Sequence, residues 1–417
     1  MQTLPGFRDF FPDDFALRDT LFARWRATAR GFGYREMDGP MLESIDLYRK
    51  KSGDELTTQL FDFTDQGKRH IALRPELTPT VARMLISKAR EFKKPIRWFS
   101  LGSFFRFERP QSGRLREFAQ LNVDLIGEPG TGGEGEILEL LAQLLAASGL
   151  LPEQVVIRVS HRGAWAEFAQ QHQLDAGQLE VLLQVIDKME RIKPEQLSEQ
   201  LQPLGLSLAT IENFIQQGTQ DLAIFSELQK QIEQRQIQSW VKLDLSIVRG
   251  LAYYTGCVFE VFPRQEHSRA LAGGGRYDGL LSKLSDGKVD LPAIGFALGD
   301  VPILKYLSGQ AKAWATLEQD AMDQHRPHLY LTEATPSARL QQLAQALRQT
   351  GYRVETSLVA GRVDKQFAVA EAHGARFALV ISEEEDSIEI RELATRTSHR
   401  VSSDQVIAHL QKALPLP

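Results

Sequence analysis

One cysteine, Cys257, is all the 417-residue chain contains, which excludes an internal disulfide and a thiolate metal cluster. It lies in the apolar run Cys257-Val258-Phe259, where a buried structural thiol is expected. Long hydrophobic runs are missing too. No uninterrupted apolar stretch approaches the roughly 20 residues of a membrane helix. The start, Met1-Gln2-Thr3-Leu4-Pro5-Gly6, lacks a basic region followed by an apolar one, so a cytoplasmic protein without a membrane partner is expected. Net charge is small, 49 Lys and Arg against 54 Asp and Glu. Bulk attraction therefore does not mark a nucleic-acid binder, and such contact has to rest on local basic patches.

What is present suits a packed protein of two or three domains: 42% of residues are hydrophobic and 25% charged. No period suggests a solenoid. Residues 12–32 carry Phe15, Leu17, Leu21, Phe22 and Trp25 at helical spacing. Short apolar runs between turns predict strands from about 60 to 126, with a helix over 78–92. Residues 135–149 read as a helix, 155–159 as a strand, and 163–236 as Gln/Glu/Leu-rich helices. Strand character returns at 241–247 and 256–262, so one strand-rich domain is interrupted by a helical insertion. The segment 311–325 is poor in large apolar residues, with Trp314, Leu317 and Met322 alone, and precedes Pro327. Beyond it, strands and helices alternate at 328–331, 337–350, 352–356, 363–373 and 376–381, the pattern of a separate small α/β domain.

The chemistry concentrates in Phe105-Arg106-Phe107-Glu108-Arg109-Pro110-Gln111-Ser112-Gly113-Arg114-Leu115-Arg116-Glu117-Phe118-Ala119-Gln120, where four arginines surround a Pro/Gly turn between strand-like runs. Guanidiniums stay charged and offer a planar fork matched to phosphate oxygens. Read alone, the segment is equally a solvated edge hairpin whose arginines pair with Glu108 and Glu117. In Arg249-Gly250-Leu251-Ala252-Tyr253-Tyr254, an arginine beside glycine can approach a ligand, and the tyrosines can form an aromatic wall. Gln120 and Asp124 stand four apart on the presumed strand and share one face.

These segments resemble the class II aminoacyl-tRNA synthetases in their histidyl form. Arg-x-Glu, a short loop and Gly-Arg-x-Arg-Glu-Phe-x-Gln is similar to motif 2; Gly39-Pro40-Met41-Leu42-Glu43 resembles motif 1. Ile247 to Gly256 and Gly273-Gly274-Gly275-Arg276-Tyr277-Asp278-Gly279 resemble the two stretches characteristic of histidyl-tRNA synthetases. The resemblance implies an α+β fold with an antiparallel-sheet catalytic core over 1–320 and a helical insertion at about 163–238. An α/β anticodon-binding-like domain would follow over 326–417. It implies ATP-dependent adenylation of L-histidine, with Mg2+ carried by ATP, transfer to tRNA, and a homodimer.

By the same resemblance, Arg106 and Arg249 are catalytic. Glu76 and Thr78 in Leu73-Arg74-Pro75-Glu76-Leu77-Thr78 receive the substrate's α-ammonium end. Gln120, Asp124, Tyr253 and Tyr254, with Arg106 and Arg249, contact histidine. Arg106, Glu108, Arg249 and Arg276 hold ATP, and Gln111, Arg114 and Arg116 meet tRNA. No protein metal cage is expected. The chain departs from the family at motif 3, where Gly295-Phe296-Ala297-Leu298-Gly299-Asp300-Val301-Pro302 puts proline in place of an arginine that packs on adenine. Ala252 replaces an aspartate and Ala119 a bulkier residue. Two alternatives accompany the ligase reading: a histidine-sensing regulatory subunit of ATP phosphoribosyltransferase, and a paralogue that adenylates for a target other than tRNA.

Overall fold

The computed structural model describes residues 2–49, 58–109, 113–189, 192–249, 253–264, 269–382 and 386–415. Two compact units divide the chain: Met1–Phe11 with Leu21–Thr316, and Pro12–Thr20 with Leu317–Pro417.

The first unit is built on an eight-stranded sheet in the order Arg35–Glu36, Ile96–Phe105, Glu117–Ile126, Ala293–Gly299, Ala272–Arg276, Cys257–Pro263, Val155–His161, Val241–Leu243. The neighbours are antiparallel except for the outermost pair at each edge. Its longest ladder runs from Ile96↔Ile126 to Phe105↔Glu117. Side chains alternate between faces along these strands. On one face Phe99, Leu121, Val123 and Leu125 are buried, and Leu125 lies against Gly133 at the start of the helix Thr131–Ala147. Truncating such a leucine to alanine costs about 2–5 kcal/mol. On the other face, Trp98, Phe104 and Ile126 share a core with Leu77, Val81 and Leu85, from the helix Thr78–Lys88 and the residue preceding it. Gln120, Asn122 and Asp124 break this apolar face with polar groups.

A run of helices from Arg162–Gln171 to Ser226–Gln234 lies between the strands Val155–His161 and Val241–Leu243. The latter strand is shorter than the expected 241–247. Asp244 ends it by accepting hydrogen bonds from the backbone N–H and hydroxyl of Ser246, a local turn that competes with the ladder. Cys257 is buried, and burial pushes its thiol pKa well up, as suits a structural thiol.

The segment 311–325 is the helix Ala311–His325. Its apolar stripe, Ala313, Leu317 and Ala321, is narrow because two of the three residues are alanine, yet all are buried. In the second unit a five-stranded sheet runs Val354–Thr356, Leu329–Thr332, Phe377–Ile381, Ser387–Glu392, Ser398–Ser402. The first three strands are parallel and the last two antiparallel additions. Leu340, Ala344 and Leu347, at positions i, i+4 and i+7 of the helix Ala338–Gln349, pack onto Leu329, Leu331 and Leu379.

Candidate active site

A cavity of about 1130 Å³ opens on the polar face of the first unit's sheet. Gln120, Asn122 and Asp124 form its floor. The facing strand contributes Gly299, Ala297 and Gly295 opposite them. Small residues are needed there: a Cβ at Gly295 would come within 2.8 Å of an Asp124 carboxylate oxygen.

Arg106 follows the strand Ile96–Phe105, and its backbone N–H donates to the Arg116 carbonyl at 2.9 Å. Its Nε donates to the Pro75 carbonyl at 3.0 Å, and its guanidinium lies 5.2 Å from the Phe118 ring centroid. Burial lowers its pKa, opposed by Glu76; an arginine starting above 12 stays charged. Glu76 and Thr78 line the same cavity. Their loop is anchored by the fully buried Arg74, which donates to Ser103 O at 2.9 Å, Asp38 Oδ1 at 2.6 Å and Gly39 O at 3.0 Å.

Arg249 approaches from the opposite wall with φ of 47°, a left-handed conformation unusual for a side-chain-bearing residue and one that clusters at functional sites. Its guanidinium is 3.3 Å from Glu260 and 5.7 Å from the Tyr254 ring centroid. Burial works to lower its pKa, but Tyr254, Glu260 and Tyr253 outweigh it and the net shift is upward. Beneath the guanidinium lies Gly273. An added Cβ there would sit 1.6 Å from an Arg249 terminal nitrogen and 2.8 Å from its central carbon.

The Tyr253 and Tyr254 rings lie tilted to one another by 42° with centroids 4.7 Å apart, and Tyr277 meets Tyr253 edge-on at 6.1 Å. The Tyr277 hydroxyl donates to Asp124. Burial raises the pKa of all three phenols, so they remain hydrogen-bond donors at neutral pH.

The structure thus brings Glu76, Thr78, Arg106, Glu108, Arg114, Gln120, Asp124, Arg249, Tyr253 and Tyr254 around one cavity. Arg114 reaches it while ion-paired to the buried Glu108, so part of the edge-hairpin reading describes the same residues. Two expected residues lie elsewhere. Arg276 is 6% exposed and bound by Glu134 at 2.5 and 2.7 Å, Asp278, and the carbonyls of Glu128 and Gly130, a structural arrangement with no donor directed at the cavity. Arg116 lies over the Phe107 ring at 4.4 Å and donates to the Glu108 and Pro5 carbonyls. Gln111 and Ala252 fall outside the described residues. Sequence reasoning missed Glu260 and Tyr277. The signal for Glu260 was a lone acid in the otherwise apolar strand Cys257–Pro263.

Pro302 lines the cavity in the first turn of the helix Asp300–Ser308. Proline is tolerated there because the first-turn N–H groups have no partner within the helix. The buried Asp300 beside it accepts hydrogen bonds from Arg8 at 2.7 Å and from the Ala119 N–H at 2.9 Å.

A family model described as histidyl-tRNA synthetase matches residues 6–301, and one described as an anticodon-binding domain matches 329–413. The chain is 40% identical to a histidine–tRNA ligase of Opitutus terrae, covering 98% of this chain and 97% of that one. Among solved structures, a histidyl-tRNA synthetase from Nostoc sp. PCC 7120 superposes with a TM-score of 0.79 at 18% identity, covering 99% of each chain. A protein from Bacillus halodurans C described as an ATP phosphoribosyltransferase regulatory subunit/histidyl-tRNA synthetase gives 0.72 at 22% identity, covering 91% of this chain and 98% of that one. At those identities the structural likenesses speak for the fold. The family model spans most of the chain and the relative nearly all of it, so the chain belongs to the histidyl-tRNA synthetase family of aminoacyl-tRNA ligases.

Proposed function

We propose that the protein activates L-histidine with ATP and transfers it to tRNA. The observation that carries this reading is the convergence of Arg106 and Arg249 on a cavity that also holds Glu76, Asp124 and the Tyr253–Tyr254 pair. Glu76, with Thr78 beside it, accepts the substrate ammonium, Gln120 contacts the amino acid, and Asp124, steadied by Tyr277, accepts an imidazole N–H. Arg106 binds the substrate carboxylate and the α-phosphate. As the carboxylate attacks phosphorus and pyrophosphate leaves, Arg249 stabilises the charge growing on the phosphoryl oxygens. A tRNA ribose hydroxyl then attacks the acyl carbon of the adenylate and AMP departs.

Magnesium carried in with ATP would neutralise part of the polyphosphate. Among the described residues no three His, Cys, Asp or Glu side chains gather into a cage for it. Glu108 and Arg114 serve ATP and the tRNA acceptor end, respectively, once their mutual ion pair opens. Met41, Leu42 and Phe63, exposed on or beside the small sheet Leu42–Ser44, His70–Leu73, Asp62–Thr64, support a two-fold dimer interface. On this reading the reaction takes place in the cytoplasm.

A second reading, a histidine-binding regulator without catalysis, draws on Pro302. The placement of Arg249 in the cavity and the anticodon-binding match over 329–413 favour the ligase. Charging of tRNA tests it. Removing residues 326–417 should cut tRNA affinity and charging efficiency at least about tenfold, roughly the worth of one or two lost charge-assisted contacts. Histidine-dependent pyrophosphate exchange, which also monitors folding of the remainder, should persist. Unchanged charging after the deletion would remove the anticodon role from this domain.

A further inference from the structure

The cavity floor carries one polar group to which the proposed chemistry gives no task. Asn122 is 7% exposed and stands between Gln120 and Asp124 on the cavity face of the strand Glu117–Ile126. Its Nδ2 has no hydrogen-bond partner. The residues opposite it in the sheet do not supply one: Ala297 has no polar side chain, and the Ser100 hydroxyl turns to Asp38 at 3.5 Å. A buried amide donor left unmatched is uncommon because its desolvation is uncompensated. In a cavity of ligand size, the missing acceptor belongs on the ligand.

Neighbouring side chains on one face of a strand stand about 7 Å apart at their Cα atoms, so Asn122 and Asp124 can reach the same small ring. Their chemistry is complementary: a carboxylate accepts, and Nδ2 donates. Neutral imidazole presents one N–H and one lone-pair nitrogen. We propose, on the basis of the histidine reading above, that Asn122 is a specificity-determining residue whose Nδ2 donates to the lone-pair nitrogen while Asp124 accepts from the N–H. The pair selects a neutral ring with both functions. A flat ring lacking the acceptor would leave Asn122 buried and unmatched, the kind of mismatch by which polar sites discriminate strongly.

Calorimetry on the full chain tests this with two ligands: L-histidine, and a β-pyrrolylalanine that keeps the N–H but has carbon in place of the lone-pair nitrogen. Wild type should prefer histidine at least about tenfold. Asn122→Ala should weaken histidine by about the same factor while changing the pyrrole's affinity less than about threefold. Asn122→Leu, apolar and similar in branching, should likewise erase the preference. Equal affinity of wild type for both ligands would overturn the inference without any variant, as would variants that weaken both ligands alike. A wild type that binds neither ligand would instead sink the histidine reading on which the inference rests. One that binds histidine with an unchanged preference in both variants leaves that reading standing and removes Asn122 from it.

Discussion

Gly273→Ala should lower histidine-dependent pyrophosphate exchange at least about a hundredfold, the worth of a transition-state donor, while costing under about 1 kcal/mol of stability. The asymmetry follows from what the new methyl meets. Its nearest neighbour is a terminal nitrogen of Arg249 at 1.6 Å, the far end of a flexible side chain that can swing aside. No backbone atom blocks it, and Gly273 is not in the left-handed region, so alanine fits the strand Ala272–Arg276. What is lost is the position of the guanidinium between Gly273 and Glu260. Gly274 next to it behaves differently, because a Cβ there would come within 2.2 Å of the Gly295 carbonyl, which cannot yield without moving the neighbouring strand. Gly274→Ala should therefore lose stability as well as activity. Exchange rates beside thermal melting separate the two, and a Gly273→Ala protein as active as wild type would show that Arg249 need not occupy its observed place.

Arg249→Ala is the direct counterpart. With Pro302 at the motif 3 position, Arg249 and Arg106 are the two cations assigned to the reacting phosphate. A fixed guanidinium stabilises the phosphoryl oxygens more as pyrophosphate departs than in the ground state, so its loss falls on the rate. Exchange should drop at least about a hundredfold, and histidine affinity far less, since Glu76, Gln120 and Asp124 remain. Arg249→Lys should restore little, because an ammonium is a point charge without the bidentate fork and would not span the distance to Glu260 in the same way. Steady-state exchange and histidine calorimetry on the same preparations measure both quantities. A larger loss of histidine binding than of rate would place Arg249 in substrate binding rather than in catalysis.

How far the sequence discloses these features depends on whether the partners are local. The alternation of Gln120 and Asp124 with apolar residues marks a strand with one polar face, and the strand Glu117–Ile126 has it. The arginines of the hairpin and the Tyr253–Tyr254 pair stand out by type, and the cavity collects most of them. Arg276 stands out equally, in a glycine-rich stretch where the resemblance implies an ATP contact, yet its partner Glu134 is 142 residues away and claims the guanidinium. Nothing near Arg276 in the chain reports that. The place of Gly273 under Arg249 is hidden for the same reason: it depends on the strand register Gly273↔Glu260, a non-local pairing. Glu260 is a single polar residue inside an apolar strand, and Asn122 shares its strand face with Gln120 and Asp124; their residue types are visible in the sequence, but their orientation relative to a cavity is not. The helix Ala311–His325 is faint in the sequence because alanine supplies two of the three residues of its buried stripe.

On the proposed reading, this cavity performs adenylation with proline at the motif 3 position. Exchange of labelled pyrophosphate into ATP by the wild-type protein isolates this step, because the reaction needs no tRNA. Exchange should depend on L-histidine and be absent with other amino acids. No exchange from a protein that binds histidine tightly would contradict it, and would leave the non-catalytic regulator as the reading of this site.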